Sequence, residues 1–208
     1  MRRCVIVGGA PIENYERIRS YLDLNDFNIL CDSGLKHCDE LCIQPDLIVG
    51  DFDSYVKPEV ETETIQLPTV KDDTDTVHAL KLAVSRGYHD FLLVGMTGRR
   101  LDHTLGNVAM LIKLDELGLK GLIVDDYSEM TVISNGTVEI DDSMPFFSTI
   151  AVAGAVKDIT IKNAKYPLDH AVIEPGYQYG ISNEVLPGKK ASITVADGRI
   201  LLIRDIVG

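Results

Sequence analysis

The chain is 208 residues long and carries 20 Lys and Arg against 32 Asp and Glu, a formal net charge of −12. An acidic excess of this size excludes a broad electrostatic grip on nucleic acid or an anionic membrane surface, and no apolar run approaches the ~20 residues of a membrane-spanning helix. A polyanionic small molecule remains compatible with it, provided a metal ion and a few placed cations offset the field locally.

The first residues, Met1-Arg2-Arg3-Cys4-Val5-Ile6-Val7, set basic residues before an apolar run too short for a secretory signal, and read as a first strand. From Cys4 to about Asp126 the pattern is strand, then glycine or acid, then helix. Val5 to Val7 run into Gly8-Gly9-Ala10, and an amphipathic stretch covers Ile12 to Leu22. Phe27 to Cys31 run into Asp32-Ser33-Gly34, with helix to about Leu41. Leu47 to Val49 end in Gly50-Asp51-Phe52-Asp53-Ser54, and Thr64 to Leu67 form a short strand before Lys71-Asp72-Asp73-Thr74-Asp75. A helix follows from Asp75 to Ser85, with Val77, Leu80 and Val84 on one face. Phe91 to Val94 end in Gly95-Met96-Thr97-Gly98, a long helix carries Leu105, Val108, Leu111 and Ile112, and Leu122 to Val124 close the series.

Apolar strands alternating with helices predict a Rossmann-like parallel sheet with helices on both faces over residues 1–128. Ligands of such sheets bind beyond the carboxyl ends of the strands, where every glycine or acid knot named above falls. After that the period changes. Asn135-Gly136 and Asp197-Gly198, each flanked by alternating runs, predict hairpins, so residues 129–208 read as an antiparallel β-sandwich or barrel. Cys4, Cys31, Cys38 and Cys42 include a Cys-x-x-x-Cys pair but no second pair, and are expected as buried or half-buried free thiols in a reducing cytoplasm.

Two short loops hold five carboxylates, Asp51, Asp53, Asp72, Asp73 and Asp75. Carboxylates crowded this way repel one another unless a cation sits among them, and hard oxygen ligands on loops suit Mg²⁺. In an extended segment Asp51 and Asp53 point the same way and could grip one ion. No Walker A sequence occurs, so phosphate has to be held otherwise. Gly9 in the first glycine turn, and Asp32, Ser33 and Gly34 in the second, are candidates for nucleotide contact. Gly95 to His103 offers more: glycines that admit a phosphate, a helix N-terminus near Leu101, and the guanidinium forks of Arg99 and Arg100. Thr97, His103 and Lys71 are further candidates. Asp102 also has a plain reading as an acid in the first turn of a helix.

Gly50-Asp51-Phe52-Asp53-Ser54, then Asp72-x-x-Asp75, then Gly-x-Thr-Gly-x-Arg100-Leu101-Asp102-His103-x-x-x-Asn107 resembles the thiamine pyrophosphokinase, or thiamine diphosphokinase, family along nearly the whole chain. The resemblance implies an α/β domain followed by a β-sandwich in a homodimer. It also implies transfer of a pyrophosphoryl group from ATP to thiamine, giving thiamine diphosphate and AMP with Mg²⁺. By motif, Asp51, Asp53 and Asp75 become metal ligands. Asp72, Arg100, Asp102 and His103 surround the phosphates, with Arg100 taking charge that develops on the transferred group. Ser182 and Asn183, in Tyr179-Gly180-Ile181-Ser182-Asn183-Glu184, resemble the segment that lines the thiamine pocket at the family's dimer interface. Arg99 departs from the bacterial pattern, which has Gly there. Two other readings stand beside this one: a metal-dependent nucleotide-sugar transferase using Asp51-x-Asp53, and a non-catalytic nucleotide or thiamine sensor.

Overall fold

A computed structural model describes residues 2–53 and 61–205, and the chain falls into two compact units, Met1–Asp126 and Tyr127–Gly208. In the first unit the apolar runs become β1 (Cys4–Val7), β2 (Phe27–Cys31), β3 (Leu47–Gly50), β4 (Glu63–Gln66), β5 (Asp90–Val94) and β6 (Lys120–Val124). They pair in parallel in the order β6-β5-β1-β2-β3-β4. Every residue of β1 and β3 is buried, which is why these strands read as unbroken apolar runs rather than alternating ones. The order reverses between β1 and β5, so the ends of these two strands diverge into a crevice.

Helices flank the sheet. Ile18 of α1 (Tyr15–Arg19) and Leu41 of α2 (Cys38–Leu41) pack with Val5, Val7, Leu30, Leu92 and Val94. The longer α3 (Asp75–Ser85) lies over β1, β2 and β3, and α4 (Leu101–Glu116) packs on β6. Their buried faces differ from the expected ones. In α3 the buried residues are Ala79, Leu80 and Ala83, with Val77 and Val84 only half-buried. Buried in α4 are Asn107, Met110, Leu111 and Leu114, while Leu105 is 61% exposed. Helix α1 is shorter than the amphipathic stretch predicted. Asp126 accepts the backbone N–H groups of Glu13 and Asn14, and the Asn14 side chain caps the helix by accepting from the Arg17 N–H at 3.1 Å. Asp126 thus belongs to the first unit, whereas the sequence suggested a boundary at 128.

In the second unit β7 (Ser128–Ile140), β8 (Phe146–Lys162), β10 (Asn183–Glu184) and β11 (Ala191–Asp205) run in the order β10-β8-β11-β7, with β9 (Leu168–Ile173) also paired to β8. All these pairings are antiparallel. Neither predicted hairpin forms. The chain passes straight through Asn135-Gly136 within β7 and through Asp197-Gly198 within β11, and Ser134 and Gly136 face Arg199 and Val195. A two-residue hairpin of the Asn-Gly type needs positive φ at both central residues, but only Asn135 (φ 46°) and only Gly198 (φ 100°) supply it. One positive φ in each makes a bulge that bends a long strand instead of ending it. Strand β8 bends at the same level through Ala153 (φ 58°) and Gly154 (φ 115°). The core of this unit gathers Phe147, Val156, Ile159, Ile193, Ile200 and Leu202, all buried.

Among the described residues the four cysteines are free, with Cys4 and Cys31 buried and Cys38 half-buried as expected, but Cys42 is exposed because it caps the end of α2, and no helix is long and apolar enough to cross a membrane.

Candidate active site

The crevice at the strand reversal is built from backbone. Gly8 N–H donates to the Val94 carbonyl at 2.8 Å and Ala10 N–H to that of Gly95 at 3.0 Å, so the turns after β1 and β5 lie against each other. A Cβ on Gly8 would stand 2.6 Å from the Gly95 oxygen, and one on Gly95, whose φ is +64°, would stand 2.5 Å from the Gly8 oxygen. Only glycine fits at both places. Around this floor lies a hollow of about 230 Å³, with Ser33, Thr76, Arg99, Arg100, His103 and Asn107 in its walls. Arg100 is the residue before α4 and forks onto Asp102, Nε to Oδ1 at 2.9 Å and an amino nitrogen to Oδ2 at 2.6 Å. That pairing holds the Asp102 carboxyl well below the usual carboxylate range, although both side chains are largely in solvent.

A second hollow, of about 350 Å³, shares Gly9, Ser33, Thr76 and His103 with the first. Its walls are acidic. One oxygen each from Asp32, Asp51 and Asp75 lies within 4.8 Å of the other two. They arrive from different elements: Asp32 follows β2, Asp51 follows β3, and Asp75 opens α3, where the dipole favours a negative charge. Asp32 adopts φ 38°, a left-handed conformation uncommon for a residue with a side chain, and it opens the tight 3₁₀ turn Asp32–His37. It is 7% exposed, its Oδ1 has no hydrogen-bond partner, and burial raises its pKa. Lys71 lies between the other two, paired with Asp51 and 3.0 Å from Asp75 Oδ1. Its hydrogen bond draws the Asp51 pKa down, while its own pKa, lowered by burial, is raised on balance by the two carboxylates. An all-oxygen donor set with one buried oxygen unspent fits a hard divalent cation such as Mg²⁺.

The structure regroups the residues singled out in the sequence. Asp53, expected beside Asp51 and Asp75 as a metal ligand, is exposed at the rim, and Asp32 takes its place in the trio. The reason is Phe52: its φ of +58° breaks the extended path on which Asp51 and Asp53 would face one way. Ser54 lies outside the described residues. Gly34 sits beneath the floor, where a Cβ would meet the Val7 oxygen at 2.3 Å. The Thr97 hydroxyl donates to Asp125 at 3.0 Å, and neither Thr97 nor the exposed Asp72 is among the residues found lining either hollow. Thr76 was missed in the sequence, and Asn107 was noticed only as part of a motif. A polar residue on the core side of a helix was the available signal for both.

In the second unit Ser182, at φ +57°, is exposed, and its N–H donates to Ser148 Oγ at 3.0 Å. Asn183 is buried, and its amide is spent on backbone: Nδ2 donates to the Tyr166 carbonyl at 2.8 Å, and Oδ1 accepts from Tyr166 and Glu184 N–H.

A doubly wound α/β unit with a glycine crevice at its strand reversal and an acidic trio beyond β2 and β3, followed by an antiparallel β unit, places the chain in the class of α/β proteins whose ligands bind beyond the carboxyl ends of parallel strands. Residues 18–122 match the family model for the thiamin pyrophosphokinase catalytic domain, and residues 136–200 match the model for its vitamin B1 binding domain. The chain belongs to the thiamin pyrophosphokinase family. It is 28% identical to thiamine pyrophosphokinase of Bacillus subtilis over 213 residues, covering 99% of each chain. The crystal structure of thiamine pyrophosphokinase from Bacillus subtilis superposes with a TM-score of 0.88 at 26% identity, over 100% of both chains. That of thiamin pyrophosphokinase from Geobacillus thermodenitrificans gives 0.84 at 29% identity, over 98% of this chain and 97% of the other.

Proposed function

We propose that this enzyme transfers a pyrophosphoryl group from ATP to the hydroxyethyl oxygen of thiamine, releasing thiamine diphosphate and AMP, with Mg²⁺ as cofactor and in a homodimer. The observation that carries the reading is the junction of the two hollows at Gly9, Ser33, Thr76 and His103, one lined by glycine backbone and arginines and the other by carboxylates. A triphosphate is the kind of ligand that asks for both.

Asp32, Asp51 and Asp75 would hold Mg²⁺, with Asp53 at the rim, and the bound ion supplies charge compensation for the phosphate oxygens. The turns at Gly8-Gly9 and Gly95 to Gly98 let phosphate approach the backbone, and Arg99 and Arg100 stand at the α4 N-terminus to receive it. Arg100 leaves an exposed partner, Asp102, when a phosphate of higher charge arrives, and takes the charge that develops on the transferred group. His103, on both walls, is placed to donate to a phosphate oxygen. The hydroxyethyl oxygen gives up its proton to solvent and attacks the β-phosphorus, the bond from that phosphorus to the α,β-bridging oxygen breaks, and AMP departs with the electron pair. Such a transfer depends mainly on positioning and charge. Thiamine recognition belongs to the segment of Ser182, whose exposed hydroxyl is available where Asn183 is committed to Tyr166. Its free thiols suit a reducing compartment, and we place the enzyme in the cytoplasm.

The test is AMP release from ATP and Mg²⁺ with and without thiamine, followed by mass analysis of the products. Thiamine-dependent AMP together with thiamine diphosphate is expected. Nucleotide binding by folded protein without AMP would overturn the reaction in favour of a sensor, and a nucleoside diphosphate leaving group would overturn it in favour of a sugar transferase.

A further inference from the structure

Asn107 lies on the core side of α4, 8% exposed, and touches two different parts of the site. Its Oδ1 accepts from the Thr76 hydroxyl at 3.1 Å, and its Nδ2 donates to the Met96 carbonyl at 2.8 Å. Thr76 follows Asp75 in the first turn of α3, beside the acidic trio. Met96 lies in the turn after β5, between the two glycines of the phosphate crevice. The link extends one residue further. Thr74 caps α3 by accepting from the Val77 N–H at 3.4 Å, and its hydroxyl lies 3.0 Å from that of Thr76. The Met96 carbonyl can only accept, so Asn107 turns Nδ2 to it and Oδ1 to Thr76; the one Thr76 proton is spent there, and Thr74 therefore gives its own proton to Thr76. The direction of the series is thus set by the Met96 carbonyl at its far end.

We infer that Asn107, with Thr76, is a positioning residue that fixes the acidic trio relative to the phosphate crevice, so that the cation and the nucleotide reinforce each other's binding. The inference rests on the nucleotide-and-metal reading of the two hollows given above. Of the side chains that line the crevice, Asn107 is buried, its carbonyl and amide both hold protein partners, and those partners belong to the α3 start and the glycine turn. A group used in this way contributes through the geometry of others rather than by touching phosphate. Its signature is a coupling free energy between two ligands, which is reciprocal and separable from either affinity alone.

The experiment measures binding of α,β-methylene-ATP, in which the scissile bridge is replaced, with and without Mg²⁺, by calorimetry. Wild-type protein is compared with Thr76→Val, Thr76→Ser and Asn107→Ala, and thermal melts confirm that each is folded. In wild type Mg²⁺ tightens binding. Thr76→Val, a nearly isosteric change in the cavity wall, is expected to lower that enhancement about tenfold, a larger factor than any change it makes in Mg²⁺-free affinity. Thr76→Ser keeps the hydroxyl and restores the enhancement. Asn107→Ala combined with Thr76→Val loses no more coupling than Asn107→Ala alone, as expected of two members of one link. Full enhancement in Thr76→Val, or an equal loss of affinity with and without Mg²⁺, overturns the inference. Turnover is not read, so an enzyme that failed to release AMP would still give a result. Wild-type protein that bound no nucleotide would instead overturn the function proposed for the site, and this inference with it.

Discussion

The ammonium of Lys71 stands between two carboxylates that approach from different loops, paired with Asp51 and 3.0 Å from Asp75. It therefore acts as a resident counter-ion for the trio, its side chain only 11% exposed. Replacing it by Met should leave like charges facing each other across a partly dry hollow, at a cost of about 2 kcal/mol, or a fall in melting temperature of roughly 4–8 °C for a chain of this size. Added Mg²⁺ should recover most of that loss, because it places positive charge where the ammonium was. Melting Lys71→Met in the presence of a chelator and then of Mg²⁺ checks this. A melt unchanged by the substitution and indifferent to the ion would show that Lys71 merely decorates the rim.

Asp51 and Asp53 provide a second contrast. Asp51 lies in the trio and Asp53 at its edge, so Asp51→Asn should reduce Mg²⁺-dependent turnover by about 100-fold or more, whereas Asp53→Asn should cost markedly less. Each activity would be measured over a Mg²⁺ titration. Equal losses, or a larger one at Asp53, would mean that the loop closes on the ion and brings Asp53 into its shell.

That contrast marks how far the sequence was legible. The strand ends were readable, because buried parallel strands need continuous apolar runs and their ligands lie just beyond them. The presence of an acidic site was readable too, since nothing but a cation or water tolerates so many carboxylates together. Which acids converge was not. That depends on the backbone signs of Phe52 and Asp32, both in a left-handed conformation that a Phe does not signal and an Asp signals only weakly. The same limit explains the second unit. Asn135-Gly136 has the composition of a tight turn, but Gly136 does not take the second positive φ that a turn requires, and the strand continues. The contacts of Asn107, which the sequence marks only as part of a motif, were illegible for a different reason. Its partners, Thr76 and the Met96 carbonyl, come together only through tertiary packing of α3, α4 and the turn after β5.

His37 yields a pH prediction. It is buried; its Nε2–H donates to the Ala10 carbonyl at 2.9 Å, which leaves Nδ1 to accept from the Tyr15 hydroxyl at 2.7 Å. That arrangement needs the neutral ring, and burial lowers its pKa from the ordinary 6.5. The unfolded chain consequently binds a proton that the folded one refuses, so this group stabilises the fold above 6.5 and its contribution is lost as pH falls through the lowered value. Urea midpoints at about pH 7.5 and about pH 5.5 should differ more for wild type than for His37→Gln, which cannot titrate in that range. Equal pH dependence in the two proteins would remove His37 as the source.

Ser182 and Asn183 are neighbours with opposite assignments. The Asn183 amide serves the backbone of Tyr166 and Glu184 from a buried position, so Asn183→Ala leaves those groups unpaired and should destabilise the second unit by about 1–3 kcal/mol. Ser182 is exposed and presents its hydroxyl from a left-handed backbone, so Ser182→Ala should cost little stability and should raise the KM for thiamine while leaving that for ATP within about twofold. Denaturation curves and two substrate titrations separate the outcomes. A shift confined to the ATP KM would place thiamine recognition away from this segment. A stable Asn183→Ala with impaired thiamine use would make Asn183 a ligand contact rather than the clamp its hydrogen bonds describe.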